Sequence, residues 1–239
     1  MSSSRLPGKV LMQVNGNSLL NIHAKRVSKS KLITKHIIAI SNTSNDDILE
    51  THCINNHLNF FRGSEADVLD RFYQLVKNEN PDVVVRLTAD CPLIDSFIID
   101  KCISLFMLNN VDYLSNTLSL TFPDGLDVEV FSAEALKKAF SCSKLKSDRE
   151  HVTPYIYRNS NFNGGSIFKA ASFENNEDAS KYRLTVDEFE DFLLIKKLIN
   201  DLGDEKPWQD YIKYVEQNIL FGNLKYKRNE GYDNSLKND

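Results

Sequence analysis

Short runs of β-branched and aromatic residues alternate along this chain with longer stretches whose apolar positions recur at helical spacing. KHIIAIS (35–41), HLNFFRG (57–63) and DVVVRLT (82–88) read as strands, the first and third apolar enough to be buried on both faces. Pro81 stands just ahead of the third, where a proline is tolerated. Helices are predicted over 17–30, 44–56, 65–78 and 95–109. The third carries Ala66, Leu69, Phe72, Tyr73 and Val76 on one face, and the second opens on a Ser-Asn-Asp-Asp cluster suited to an N-cap. Beyond residue 110 the rhythm changes. Strands are predicted at 111–115, 127–131 and 166–171, with helices near 132–142, 148–159, 188–202 and 207–221. Such alternation predicts an α/β fold with a mainly parallel sheet. It places one domain over 1–221, followed by a flexible tail (222–239) rich in Asn, Lys and Gly.

Composition narrows the function. Of 239 residues, 41% are hydrophobic and 26% charged, enough for a full core. A net charge of −4 argues against a general nucleic-acid binder, which needs surplus Lys and Arg against phosphates. Cys53, Cys91, Cys102 and Cys142 show no CxxC spacing, so they read as small hydrophobes in a reducing compartment rather than as a zinc or redox site. No apolar run is long enough to span a membrane, and the first residues lack a signal peptide's apolar core; a cytoplasmic protein is expected.

The candidate chemistry sits at strand ends and in one loop. Residues 2–9, SSSRLPGK, combine small residues with two cations. Such a loop presents amides and a lysine to a polyphosphate, or is simply a disordered terminus. Asp90 follows the 82–88 strand, at the end where open α/β sheets bind ligands, yet Asp-Cys-Pro is also turn chemistry. Asp95 reads as the cap of the next helix. Asp187 follows Leu184-Thr185-Val186, a short strand. Asp127 and Glu129, two apart, share one face of a strand. His151 can carry a proton near neutrality.

Several long segments together resemble one family. SSSRLPGK, RGSEADVLDRFY (62–73), VVRLTADCPLID (84–95), YLSNT (113–117), FPDGLDVEVF (122–131), REHVTPYIY (149–157) and RLTVDEFEDF (183–192) follow the order and spacing of cytidylyltransferases. The similarity is to the branch named for spore-coat polysaccharide biosynthesis, kin to the acylneuraminate and 3-deoxy-octulosonate cytidylyltransferases. It spans roughly residues 1–200.

The resemblance implies a Rossmann-like, three-layer nucleotidyltransferase fold whose first β-strand would precede Ser2 and is missing here. It implies transfer of CMP from CTP to an acidic sugar, with Mg²⁺ and release of pyrophosphate. Arg5 and Lys9 are then the catalytic cations. Ser3, Gly8, Arg62 and Arg71 join them around the nucleotide. Asp90 and Asp187 are the metal ligands, and Asp124, Asp127, Glu129, Arg149 and His151 bind the acceptor. Residues 111–171 would form the substrate and dimerisation part of a possible homodimer. The Asp127-x-Glu129 pair leaves a nucleotide-sugar-dependent glycosyltransferase open, and the missing strand leaves a truncated, non-catalytic domain open.

Overall fold

The computed structural model of the chain describes residues 5–218, 228 and 230–239; Ser3 lies outside them. A single 3-10 turn, Lys9–Leu11, follows Gly8 in the left-handed region (φ 74°). A small hairpin comes next, β1 (Gln13–Val14) and β2 (Asn17–Ser18), turned by Asn15 and Gly16, both at positive φ as a two-residue hairpin turn demands. Ser18 caps α1 (Leu19–Val27) by accepting from the Asn21 amide. β3 (Ile38–Ser41), α2 (Asp47–Asn55), β4 (Phe60–Gly63), α3 (Val68–Glu79), β5 (Val83–Arg86) and α4 (Ser96–Asn109) alternate as the pattern predicts. Asp95 caps α4 through the Phe97 amide.

The second half holds β6 (Tyr113–Ser115), β7 (Glu129–Ser132), α5 (Ala133–Cys142), α6 (Lys146–His151), α7 (Pro154–Arg158), β8 (Ala170–Ser172), α8 (Phe189–Leu202) and α9 (Trp208–Asn218). The helix expected over 148–159 is therefore two. Val152 at φ 76° ends the first, and Pro154, which has no amide hydrogen to leave unpaired, starts the second.

The main sheet has the order β5-β7-β6-β8, and β7 alone runs against the other three. β3 and β4 form a separate parallel pair. The fold is thus α/β with a mainly parallel, mixed sheet as expected, and among the described residues its strands fall into these two groups. Among the described residues β3 and β5 each have one strand neighbour, and Ile38, Ala39, Val83, Val84 and Val85 are only half-buried. Full burial of such runs needs a strand on both sides and a helix on both faces.

Alternation along β7 divides the core. Val130 joins Leu19, Leu114, Leu184, Ile195 and Tyr211 on the α1, α4, α8 and α9 side, whereas Phe131 joins Leu69, Leu136 and Ile156 on the α3, α5 and α7 side. The result is three layers. His23 is buried without a partner on either ring nitrogen; burial pushes its pKa down to about 3, so it is a neutral core group.

The described part of the tail differs from the flexible segment expected over 222–239. α10 (Glu230–Ser235) packs against α6, and the Asp239 carboxylate accepts from the Ser147 amide at 2.7 Å and its hydroxyl at 2.5 Å. Specific polar anchors do here what the sparse apolar content cannot. Among the described residues, no helix is long and apolar enough to cross a membrane.

Candidate active site

Asp90 lies four residues past the end of β5. Its carbonyl accepts from the Val186 amide (2.8 Å) and from Thr185 Oγ1 (3.2 Å), which fastens the two aspartate-bearing segments together. The loop of residues 5–9 comes to the same place. Lys9 Nζ donates to Asp90 Oδ2 at 2.7 Å and to Asp187 Oδ1 at 2.8 Å, with its side chain only 11% exposed. Arg5 Nη2 stands 2.9 Å from Asp187 Oδ1. Burial opposes the charge on Lys9, but Asp90 and Asp187 outweigh it and raise its pKa above the ordinary lysine value. Burial likewise opposes ionisation of Asp187, yet Lys9, Arg183 and Arg5 hold its carboxyl below the usual range. Three residues far apart in sequence thus meet in one hydrogen-bonded cluster.

Arg183 organises the carboxylates around it. Its Nη1 donates to Asp124 Oδ2 (2.6 Å), Nη2 to Asp187 Oδ2 (2.7 Å) and Nε to Asp191 Oδ1 (2.8 Å). A planar guanidinium fixes all three directions at once, which a lysine would not. Asp191 also accepts from the amides of Asp187 and Glu188, so the capping box that starts α8 is the same structure that orients Asp187. Sequence reasoning missed Arg183 as a site residue. The available signal was its place at the head of RLTVDEFED, but outside a helix a spacing of four says nothing about contact.

Asp124 and Asp127 reach this cluster through a tight backbone crossing. The Leu184 amide donates to Asp124 O (2.6 Å) and the Asp124 amide to Tyr182 O (3.0 Å). Gly125 between them sits at φ 102°, where a Cβ would lie 2.5 Å from Leu184 C and Thr185 N. Arg228 completes the group, donating through Nη2 to Asp127 Oδ1 (2.6 Å) and through Nη1 to Phe122 O (2.9 Å). It too escaped the sequence reading, being one of four cations in the tail with nothing in their spacing to set it apart.

Burial pushes the Asp127 pKa up to about 6, against the pull of Arg228, and raises that of Asp124 against Arg228 and Arg183. A carboxyl with a folded pKa above its unfolded one holds its proton longer in the folded state. Stability is then lost as pH rises from about 4 to about 6. Relative to wild type, Asp127→Asn should become more stable across that window, by at most about 3 kcal/mol, since the side chain is still 29% exposed. Melting curves of both proteins between pH 4 and 7 check this; parallel curves would contradict it.

Other expected site residues lie elsewhere or are already engaged. Glu129 receives Tyr113 OH (2.7 Å), Thr153 Oγ1 (2.5 Å) and Arg86 Nη1, so its carboxylate is a structural hub on β7. Arg149 puts Nε (2.8 Å) and Nη2 (2.5 Å) on Asp67 Oδ2, donates to Phe140 O and lies over the Phe140 ring. Arg62 pairs with Asp47 and Glu50 and donates to Ser41 O and Thr43 O, which ties β4 to β3 and α2. His151 meets Ser235 Oγ at 3.0 Å and the edge of Tyr232, both on α10. Arg71 donates through Nη1 to Ser64 O at 2.8 Å, just past the end of β4. Ser3 is outside the described residues. Glu129, Arg149, Arg62 and His151 each meet partners that the fold supplies, whether a charge, a carbonyl, a hydroxyl or a ring, and sequence spacing does not show such partners.

Comparisons with known proteins place the chain in a family. Residues 1–226 match the family model described as cytidylyltransferase. An uncharacterized protein of Methanocaldococcus jannaschii is 40% identical over 82% of this chain and 78% of its own. The spore coat polysaccharide biosynthesis protein SpsF of Bacillus subtilis is 38% identical over 85% of both. The solved structure of a cytidylyltransferase from Leptospira borgpetersenii superposes with a TM-score of 0.86 at 34% identity, over 95% of each chain. The chain therefore belongs to the cytidylyltransferase family.

Proposed function

We propose that the protein transfers CMP from CTP to an acidic or deoxy sugar and releases pyrophosphate, with Mg²⁺ at Asp90 and Asp187. The observation that carries this reading is the Lys9 ammonium held between those two carboxylates beside Arg5. Kinship with 3-deoxy-manno-octulosonate cytidylyltransferases supports the acidic acceptor.

The donor set fits the ion. Asp90 Oδ2 and Asp187 Oδ1 both lie within 2.8 Å of one cationic nitrogen, so they already converge on a single positive centre. Among the described residues no group of three or more His, Cys, Asp or Glu is arranged to hold a metal. Mg²⁺ typically takes one or two carboxylates and completes its shell with water and phosphate oxygens, so a two-aspartate cradle suffices. Bound there with a triphosphate, it would supply charge neutralisation on the phosphate oxygens.

The chain's own residues do the rest. Arg5 and Lys9 bind phosphate oxygens and offset the charge that develops on the leaving pyrophosphate. The left-handed Gly8 sets the turn that brings Lys9 inward. Arg183 holds Asp187 and Asp124 in fixed orientations, which limits reorganisation when substrates arrive. Asp124 and Asp127, tied to the cluster through Arg183 and Arg228, are assigned to acceptor hydroxyls. Glu129 and Asp127 hold different arginines and do not act together on a diphosphate, so the acidic pair lends no support to a glycosyltransferase.

The test is a screen of the four ribonucleoside triphosphates with Mg²⁺ against a panel of 3-deoxy-ulosonic acids, read by pyrophosphate release. Turnover is expected with CTP and at least one acid, and none in EDTA. Sugar transfer from a CMP-sugar without any CTP turnover would overturn the reading.

A further inference from the structure

Arg228 comes from beyond α9 in sequence, yet it closes on one loop of the candidate site at three points. Its Nη1 donates to Phe122 O (2.9 Å) and its Nη2 to Asp127 Oδ1 (2.6 Å). Its Nε lies 3.8 Å from Asp124 Oδ1, and the other oxygen of Asp124 is held by Arg183. A planar fork thus spans residues 122, 124 and 127, where a point charge would meet one of them. The loop depends on it unevenly. Asp124 is also fixed by Arg183 and by the backbone crossing at Tyr182 and Leu184. Asp127 has no other side-chain partner among the described residues. The Arg228 side chain is 10% exposed and that of Asp127 29%, so the guanidinium backs the carboxylate and leaves it the more open of the two.

The chain that follows Arg228 is fastened to α6. Ser235 Oγ meets His151 Nε2 at 3.0 Å, and the Tyr232 ring stands edge-on to His151 with centroids 5.2 Å apart. Asp239 accepts from the Ser147 amide (2.7 Å) and hydroxyl (2.5 Å). Ser147 and Ser235 are buried, so breaking these contacts would strand polar groups away from water, at a real cost. His151, which the family resemblance assigns to the acceptor, is thereby occupied by α10. Its bearing on the site is indirect: it anchors the segment that brings Arg228 to Asp127. The end of the chain therefore ties α6 to the loop of residues 122–127.

We propose that Arg228 is a positioning residue of the transferase site: docked through α10, the C-terminal segment sets the direction in which Asp127 presents its carboxylate. Arg228 acts through Asp127 and touches no reacting atom. This rests on the transferase reading for what Asp127 binds, not for the clamp itself. A tail that blocked the site instead would give a gain of activity once Arg228 is removed, and the experiment separates the two.

The proteins are wild type, Arg228→Gln, Arg228→Lys and the double variant Tyr232→Ala with Ser235→Ala, each shown to keep its melting transition. Hydrogen exchange at the Asp124 and Leu126 amides, which donate to Tyr182 O and Pro123 O, reads the clamp without substrate. Exchange there should be about 10-fold faster in Arg228→Gln and in the double variant, and intermediate in Arg228→Lys. Kinetics then use CTP, Mg²⁺ and the 3-deoxy-ulosonic acid that wild type turns over best. Arg228→Gln should raise the acceptor's KM about 10-fold or more and leave the KM of CTP within about twofold, and Arg228→Lys should recover part of the loss. The double variant should shift the acceptor's KM in the same direction. An acceptor KM that stays at the wild-type value in Arg228→Gln overturns the proposal. So does a fall in kcat with both KM values kept, or a loss that Arg228→Lys does not relieve, since either is what a merely structural role would give. Faster turnover in Arg228→Gln overturns it in favour of a blocking tail, and a double variant that behaves as wild type removes the part given to α10. If exchange rises as expected but wild type releases no pyrophosphate with any acid, the clamp stands and the transferase reading falls.

Discussion

Lys9→Ala is expected to lower the kcat for pyrophosphate release by about 10²–10³-fold, with a much smaller change in the acceptor's KM. The reason is where the ammonium sits. It is nearly buried, it lies beside the two carboxylates assigned to the metal, and it shares Asp187 with Arg5. A cation there stabilises charge that grows only as the α–β phosphate bond breaks, so its loss appears in the rate rather than in ground-state binding. The same variant carries a second signature. Without the ammonium, Asp90 and Asp187 face each other with Arg5 and Arg183 near the latter among the described residues, so Mg²⁺ should bind the nucleotide-free variant more tightly than wild type. Steady-state kinetics and a Mg²⁺ titration check the two effects. Turnover within about threefold of wild type would falsify the role given to Lys9.

The largest stability effect is expected at Gly125. Gly125→Ala should cost about 3 kcal/mol or more, a fall in Tm of roughly 6–12 °C for a chain of this size. Alanine at φ 102° is strained by itself, and its Cβ would lie 2.5 Å from the backbone of Leu184 and Thr185, where no side chain can move aside. The loop must then lift away, and Asp124 moves with it off Arg183. Activity should therefore fall along with stability. Gly16→Ala is the matched control: φ is +78° there too, but nothing lies within 4 Å of the added carbon, so only the backbone term of about 1 kcal/mol remains. Thermal melts of the two variants separate clash from strain. Equal shifts would mean that the crossing at 124–125 and 184–185 is not tight in solution.

Much of the architecture was legible before any coordinates. KHIIAIS, HLNFFRG and DVVVRLT each contain the strand they predict, and Asp95 caps the helix it precedes. These are local properties: β-branched runs, helical spacing of apolar residues and caps are set within a few neighbours. The convergence of Lys9, Asp90 and Asp187 was legible only through long motifs in register, because no local rule brings together residues 81 and 178 positions apart. Where local signals competed, the fold decided. Val152 broke a helix that the pattern ran straight through, and the two-strand pair of β3 and β4 stood apart from the sheet that holds β5.

Residue order alone was enough for the element sequence, the layered α/β class and the family, since each follows from periodicity or from long contiguous motifs. Tertiary structure alone chose the partners of the charged side chains. It gave Arg183 three carboxylates, took Arg149 to Asp67 and Arg62 to Asp47 and Glu50, brought Arg228 back from the tail to Asp127, and left Arg71 with a buried donor unpaired. An ion pair falls off with distance in space, and the chain's folding, not its spacing, sets that distance.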